Sequence, residues 1–154
     1  MPFLVIYPAR CTFVLKKSGN PLTCDPCQEY RLNANFKNSI IFGSRRDEIS
    51  IIDFDGCNEA ISSPINYTFQ NCIVRVDELT ETEGFEDFFM FCDPCQNGDS
   101  QDPIFADPND DDYHLDTLSI AEERAMPLPG VSLDLEGNMR DNLEPDVGCY
   151  EYQY

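Results

Sequence analysis

Two identical tetrapeptides, Cys24-Asp25-Pro26-Cys27 and Cys92-Asp93-Pro94-Cys95, are the sharpest chemical signal in the chain. Two Cys-x-x-Cys pairs can build a tetrahedral zinc site where their loops meet. Each pair can instead close a local disulfide in an oxidising compartment, or the thiols can stay free. The pairs stand 68 residues apart, so Cys24, Cys27, Cys92 and Cys95 share a metal only if the fold brings two distant turns together. A thioredoxin-like role needs a βαβ setting and a helix N-terminus, and neither is visible. Arg45, Arg46 and Arg75 are the basic residues that can gather on one face to bind a uronate. Asp53 and Asp55, two apart in a strand, share a face at about 7 Å, a carboxylate pair of the kind a glycoside hydrolase needs. The plainer reading of these residues is a solvated edge and an Asp55-Gly56 turn. Asp107, Asn109, Asp110 and Asp111 offer clustered oxygens for calcium, although Asp112 and Leu118 stand where an EF-hand wants Gly and Glu. A solvated acidic loop is the simpler account. His114 is the only histidine, and without a positioned nucleophile and orienting group it is assigned no catalytic role.

Any such chemistry needs a frame, and composition limits which frames are open. The 154 residues carry 29 Asp and Glu against 10 Lys and Arg, a formal charge of −19. So acidic a surface repels phosphates and sets nucleic acid and anionic lipid aside as partners. The charge is uneven: between Arg75 and Arg124 there is no Lys or Arg, while 16 of the 29 acids fall there. Leu, Ile, Val and Phe make up about a quarter of the chain, above the ~20% below which charged sequences stay unfolded. No apolar run approaches the ~18 to 20 residues of a membrane span. The start, with its short Phe3 to Tyr7 apolar run, does not read as a signal peptide.

Short β-branched and aromatic runs punctuated by Gly, Asn, Asp and Pro predict strands at Cys11 to Leu15, Ser39 to Phe42, Ile49 to Phe54, Tyr67 to Phe69 and Ile73 to Val76. Only Ile120 to Ala125 has helical propensity, and Pro127 stops it. An internal repeat adds order to these strands. Phe36-Lys37-Asn38-Ser39-Ile40-Ile41 aligns with Phe69-Gln70-Asn71-Cys72-Ile73-Val74 at an offset of 33, and a further step lands near Ile104-Phe105. Self-similarity at such a period marks a solenoid, and continuous runs such as Cys72-Ile73-Val74 suit a parallel sheet. Asn38 and Asn71 then fall at sharp corners, where Asn tolerates left-handed angles and can bond its counterpart one coil away. Cys72 falls at an inward position, and the aromatic group Phe85, Phe88, Phe89 and Phe91 reads as cover for the wall of the fold.

The last forty residues carry an ordered set of motifs: Asp112-Tyr113-His114-Leu115, Ser119-Ile120-Ala121, Asp134-Leu135-Glu136-Gly137-Asn138-Met139-Arg140, and Pro145-Asp146-Val147-Gly148-Cys149-Tyr150-Glu151. This order resembles the C-terminal closing segment of the right-handed parallel β-helix repeat proteins that Gram-negative bacteria secrete or display. That family typically reads Asp-Tyr-x-Leu, Ser-Pro-Ala-Ile-Asp-x-Gly, Asp-x-Asp-Gly-Asn-Pro-Arg and Pro-Asp-Ile-Gly-Ala-Tyr-Glu. Asp102-Pro103-Ile104-Phe105-Ala106-Asp107 resembles its lead-in, so the likeness covers roughly residues 33 to 152. Ile120, Glu136, Met139 and Cys149 depart from the pattern.

The expected fold is therefore all-β, a right-handed parallel β-helix, or solenoid, with a C-terminal capping segment: coils over 1–110, the last of a longer solenoid, and a cap over 111–154. Gly137, Asn138, Asp146, Gly148 and Tyr150 are the expected structural residues of the cap, with Gly137 and Asn138 at a tight turn and Tyr150 and Tyr152 over the end of the core. The resemblance implies an extracellular or cell-surface location, with any signal upstream of this sequence. The expected function is a non-catalytic rigid scaffold or carbohydrate-facing, adhesive surface, with a polysaccharide or surface glycan as partner. Association of copies through an open N-terminal coil is also expected. The alternatives are a β-helix polysaccharide lyase or glycoside hydrolase acting near Arg45, Arg46 and Arg75, and a zinc-stapled adhesin using the four CDPC cysteines. No cofactor is expected, zinc and calcium being the two alternatives.

Overall fold

The computed structural model describes residues 4–6, 32–51 and 65–153. Its strands are β1 (Leu4–Ile6), β2 (Leu32–Lys37), β3 (Ile40–Ile41), β4 (Ile49–Ile51), β5 (Ile65–Gln70), β6 (Cys72–Val74), β7 (Cys95–Asn97), β8 (Phe105–Asp107) and β9 (Asp112–Leu115). Single turns of 3-10 helix lie at Leu79–Glu81, Phe88–Met90 and Pro108–Asp110. The strand expected at Cys11 to Leu15, and the end of the one expected at Ile49 to Phe54, lie outside the described residues.

The 33-residue repeat is the register of two parallel pairings. Leu32 through Lys37 face Ile65 through Gln70 position by position, and Ile40 and Ile41 face Ile73 and Val74. On one face of β2 and β5 the like residues stack as a polar ladder, with Asn66 Nδ2 donating to Asn33 Oδ1 at 2.9 Å and Thr68 Oγ1 to Asn35 Oδ1 at 2.6 Å. On the other face Phe36 lies on Phe69, ring centres 4.8 Å apart. Period-two alternation puts the polar and aromatic members of each strand on opposite sides.

The right-handed parallel β-helix is nevertheless corrected. The described residues form four separate sheets of two or three strands, β1 with β4, β2 with β5, β3 with β6 and β7, and β8 with β9, and none of them closes into a coil. The repeat does not take a third step. The next partner of β6 is β7, where Cys72 faces Cys95, only 23 residues on. Ile104-Phe105, where the third step was expected, instead begins an antiparallel pair: Asp111 adopts φ 59°, and Phe105 faces Leu115. Ile120 to Ala125, the stretch with helical propensity, is not helical. Glu123 takes φ 56°, and the backbone there bonds outward, with Val147 N donating to Ala121 O and Ala125 N to Pro145 O.

β6 and its continuation form a wall between two cores. Cys72, Val74 and Val76 pack with Ile49, Phe69, Leu79, Phe88 and Cys92 on one side. Ile73 packs with Ile104, Leu115, Ala121, Ala125 and Val147 on the other. A strand buried on both faces reads as an unbroken apolar run, which accounts for Cys72-Ile73-Val74. Alternation places Arg75 on the side of Ile73.

Asn38 and Asn71 hold the left-handed conformation expected of corners, with φ 49° and 50°. Their amides do not bond one another, however. Asn38 Nδ2 donates to Met126 O at 2.7 Å and its Oδ1 accepts from Met126 N at 3.0 Å, while Asn71 Nδ2 donates to Arg124 O at 2.8 Å. The corners thus clasp the irregular C-terminal segment. That segment is organised by buried carboxylates. Asp134 accepts from the backbone N–H groups of Glu136, Asn138 and Glu151 and from Asn138 Nδ2. Asp146 accepts from Glu123 N and Tyr152 N, and Arg140 pairs with Glu151 at 3.2 Å. Gly148, at φ 109°, brings its backbone against Ile40, whose Cδ1 would lie 2.9 Å from an added Cβ. Among the described residues no helix is long and apolar enough to cross a membrane.

Candidate functional site

A groove of about 450 Å³ runs between the turn after β3, the residue after Val74, and the β8–β9 arm. Its rings are Phe42, Phe105 and Tyr113, its polar groups Ser44, Ser100, Asp102 and Asn109, and its cation Arg75. Each arrives by a local rule. Gly98 lets the chain pass against Phe42: an added Cβ would sit 2.6 Å from Phe42 Cε2. The next turn is closed by Asp102, whose Oδ2 accepts from Asp99 N at 2.6 Å. The tip of the arm is closed by Asp107, whose Oδ1 accepts from Asn109 N at 3.2 Å. Phe105 and Tyr113 meet edge to face with centres 5.4 Å apart, a favoured geometry for aromatic pairs. Ile104, also in the wall, ties the groove to the second core.

Arg75 is 8% exposed. Its Nη1 donates to Gly43 O at 2.8 Å, and its guanidinium carbon lies 5.8 Å from the centre of the Phe42 ring. Its Nε is buried without a hydrogen-bond partner. The other two arginines expected to join it do not line the groove. Arg46 forms ion pairs with Glu78 and Asp77, and Arg45, exposed, gives its backbone N–H to Glu48 Oε1 at 2.7 Å.

Cys92 and Cys95 are joined in a disulfide, one of the three states that the CDPC motif left open. Cys24 and Cys27 lie outside the described residues, as do Asp53 and Asp55. Among the described residues no group of three or more His, Cys, Asp or Glu side chains is placed to hold a metal; Asp107 and Asp111 serve the turn between β8 and β9. Cys72 is fully buried, and burial raises its thiol pKa despite hydrogen bonds near Ser39 and Gln70.

A second constellation was not anticipated. His114 is held between two carboxylates, Nδ1 to Asp112 Oδ1 at 2.6 Å and Nε2 to Glu136 Oε1 at 3.3 Å, and its ring stacks on Tyr150 at 4.2 Å. The bond to Asp112, then that to Glu136, raises the imidazole pKa above its ordinary value. With both nitrogens turned to carboxylates, the ring is a clamp between β9 and the C-terminal segment. Tyr150 was expected over the end of the core; it lies on His114 instead, and Tyr152 packs against the second core.

Phe42, Asp102, Phe105 and Tyr113 were not singled out as site residues. Phe42 read as the end of a strand and Tyr113 as part of a closing motif, and nothing local marks residues so far apart as neighbours. Comparison with protein-family models, curated proteins and solved structures finds none that matches this chain.

Proposed function

We propose that the protein is a non-catalytic carbohydrate-binding surface that works outside the cell, with the groove at Phe42, Arg75 and Tyr113 as its glycan site. The observation that carries this reading is the pairing of exposed ring with polar fringe: Tyr113, 39% exposed, stands beside Asp102, Asn109, Ser44 and Ser100 in one concave wall. A sugar presents an apolar C–H face to such a ring and its hydroxyls to amide, carboxylate and hydroxyl partners, the mix that small-ligand sites use. Asp102 is the only carboxylate among the described residues that line the groove, whereas a glycoside hydrolase sets two across the scissile bond. This supports binding over hydrolysis. The Cys92–Cys95 disulfide supports an oxidising, extracellular setting. Open sheet edges such as β7, at the margin of its three-stranded sheet, support self-association.

The test is an immobilised panel of neutral and uronic-acid glycans probed with the whole chain, alongside size-exclusion chromatography of the same polymers after incubation. Retention on at least one glycan, weakened by Y113A, with no shortening of the polymer is the expected result. Shortened polymer would establish the lyase or hydrolase alternative, and no retention on any glycan would overturn the reading. Sedimentation over a concentration series tests self-association, which a constant monomer refutes.

A further inference from the structure

We infer that the groove selects an acidic saccharide, the ligand's carboxylate pairing with Arg75; this rests on the carbohydrate reading above and names its substrate class. The argument begins with how arginines are treated elsewhere in the molecule. Arg140, also largely buried, has its charge answered by Glu151 and donates further to the carbonyls of Asp146 and Gly148. Arg46, exposed, is answered by Glu78 and Asp77. Arg75 is more than nine-tenths buried, yet its hydrogen bond goes to the neutral carbonyl of Gly43, and no carboxylate among the described residues pairs with it. Arg75 is the one buried Lys or Arg among the described residues, and its charge stands in the wall of a groove without a carboxylate beside it.

A buried charge without a counter-charge is costly, and a ligand carboxylate is the group that relieves it. The guanidinium fork suits a carboxylate better than a hydroxyl, because two parallel N–H donors meet two oxygens. Phe42 below the guanidinium contributes a cation–π contact that fixes its plane. Tyr113 offers a ring for the sugar face, and Asp102 and Asn109 offer acceptors and donors for hydroxyls. The general acidity of the surface opposes anions at long range, but at physiological salt that field is screened beyond about 8 Å. Recognition then depends on the local cation. A groove of about 450 Å³ admits a short stretch of the polymer.

The experiment is calorimetric titration of the whole chain with three ligands: a glucuronate-bearing trisaccharide, its methyl ester, and the matching glucose trisaccharide. The ester keeps the shape and removes the charge. The expected result is that the free acid binds about ten-fold or more tighter than the other two. In R75Q, acid and ester should bind alike. Since Arg75 is buried, R75K is measured beside it, with circular dichroism on both; R75K keeps the charge but loses the fork, and should keep only part of the preference. The wild-type comparison stands even if neither variant folds. Equal binding of all three ligands, or preference for the ester or neutral sugar, overturns this inference while leaving the carbohydrate reading in place. No binding of any of the three, together with an empty glycan panel, overturns both.

Discussion

Asn38 and Asn71, 33 residues apart, share one left-handed backbone conformation, and each turns its amide onto the backbone of a single segment, at Met126 and Arg124 respectively. The likeness of the two repeats is thus used to hold a part of the chain outside them. Asn38 is the stronger clasp, since its side chain both donates to and accepts from Met126.

Replacement of Asn38 should therefore cost more than replacement of Asn71. N38A loses two hydrogen bonds and forces a Cβ-bearing residue without local polar support into the left-handed region, about 3 kcal/mol in all. N38G relieves the backbone and should lose about 2 kcal/mol. N71A, with one side-chain bond at stake, should fall below N38A. Urea unfolding of the three variants decides the order; an N38A protein within about 0.5 kcal/mol of wild type would show that the clasp is idle.

The second prediction concerns acid. Burial alone would raise the Asp134 carboxyl, but its bonds from Asn138, Glu151 and Glu136 outweigh that and lower it from 3.8 to about 2. A folded-state value below the unfolded one means stability that is present above the unfolded value and lost as pH falls from about 4 through 2. After allowance for solvent, the contribution is about 1 to 2 kcal/mol at neutral pH. Melting temperatures of wild type and D134N should differ at pH 7 and converge as the pH approaches 2. A constant gap down to pH 2 would contradict the assignment.

The His114 clamp runs in the opposite direction. Hydrogen bonds from the imidazole to Asp112 and Glu136 outweigh desolvation and raise it above 6.5, and the contact with Asp112 lowers that carboxyl. Stability from the charged imidazole is complete below 6.5 and lost as pH rises through the raised value. An NMR titration of the single histidine should find its midpoint above 6.5. D112N should lower it more than E136Q does, and a wild-type midpoint at or below 6.5 would mean that the clamp does not form in solution.

Cysteine labelling tests the wall between the cores. Cys149 is exposed and Cys72 fully buried, both as free thiols. A thiolate must form and be reached before it reacts, and burial opposes both. Peptide-resolved maleimide labelling should modify Cys149 in the native protein and Cys72 only in denaturant. Equal native labelling would show that β6 is not buried on both faces.

How far the sequence reveals this molecule varies by residue. The register of β2 on β5 is legible because like side chains stack: Asn33 meets Asn66 and Phe36 meets Phe69. The pairing of Cys72 with Cys95 is not, because the two stretches share no pattern and stand at a different spacing. Nor is the reversal at Asp111, a non-glycine residue in the left-handed region, so Ile104-Phe105 reads as a further repeat when it turns back on itself. In the groove, Arg75 stands out by charge alone. Phe42, Asp102 and Tyr113 become its neighbours only through the parity of β6 and the antiparallel arm, which are long-range facts that local spacing does not encode.

That parity carries an evolutionary consequence. Inserting or deleting one residue between Asn71 and Arg75 would exchange the two faces of the wall. It would send Arg75 in among Phe69 and Phe88 and turn an aliphatic side chain toward the groove. The core and the lining of the groove are thus subject to one reading frame, so this stretch can drift by substitution but not by change of length, whereas the exposed turns at Gly84 and Gly130, with nothing within 4 Å of an added Cβ, are where the chain is free to grow.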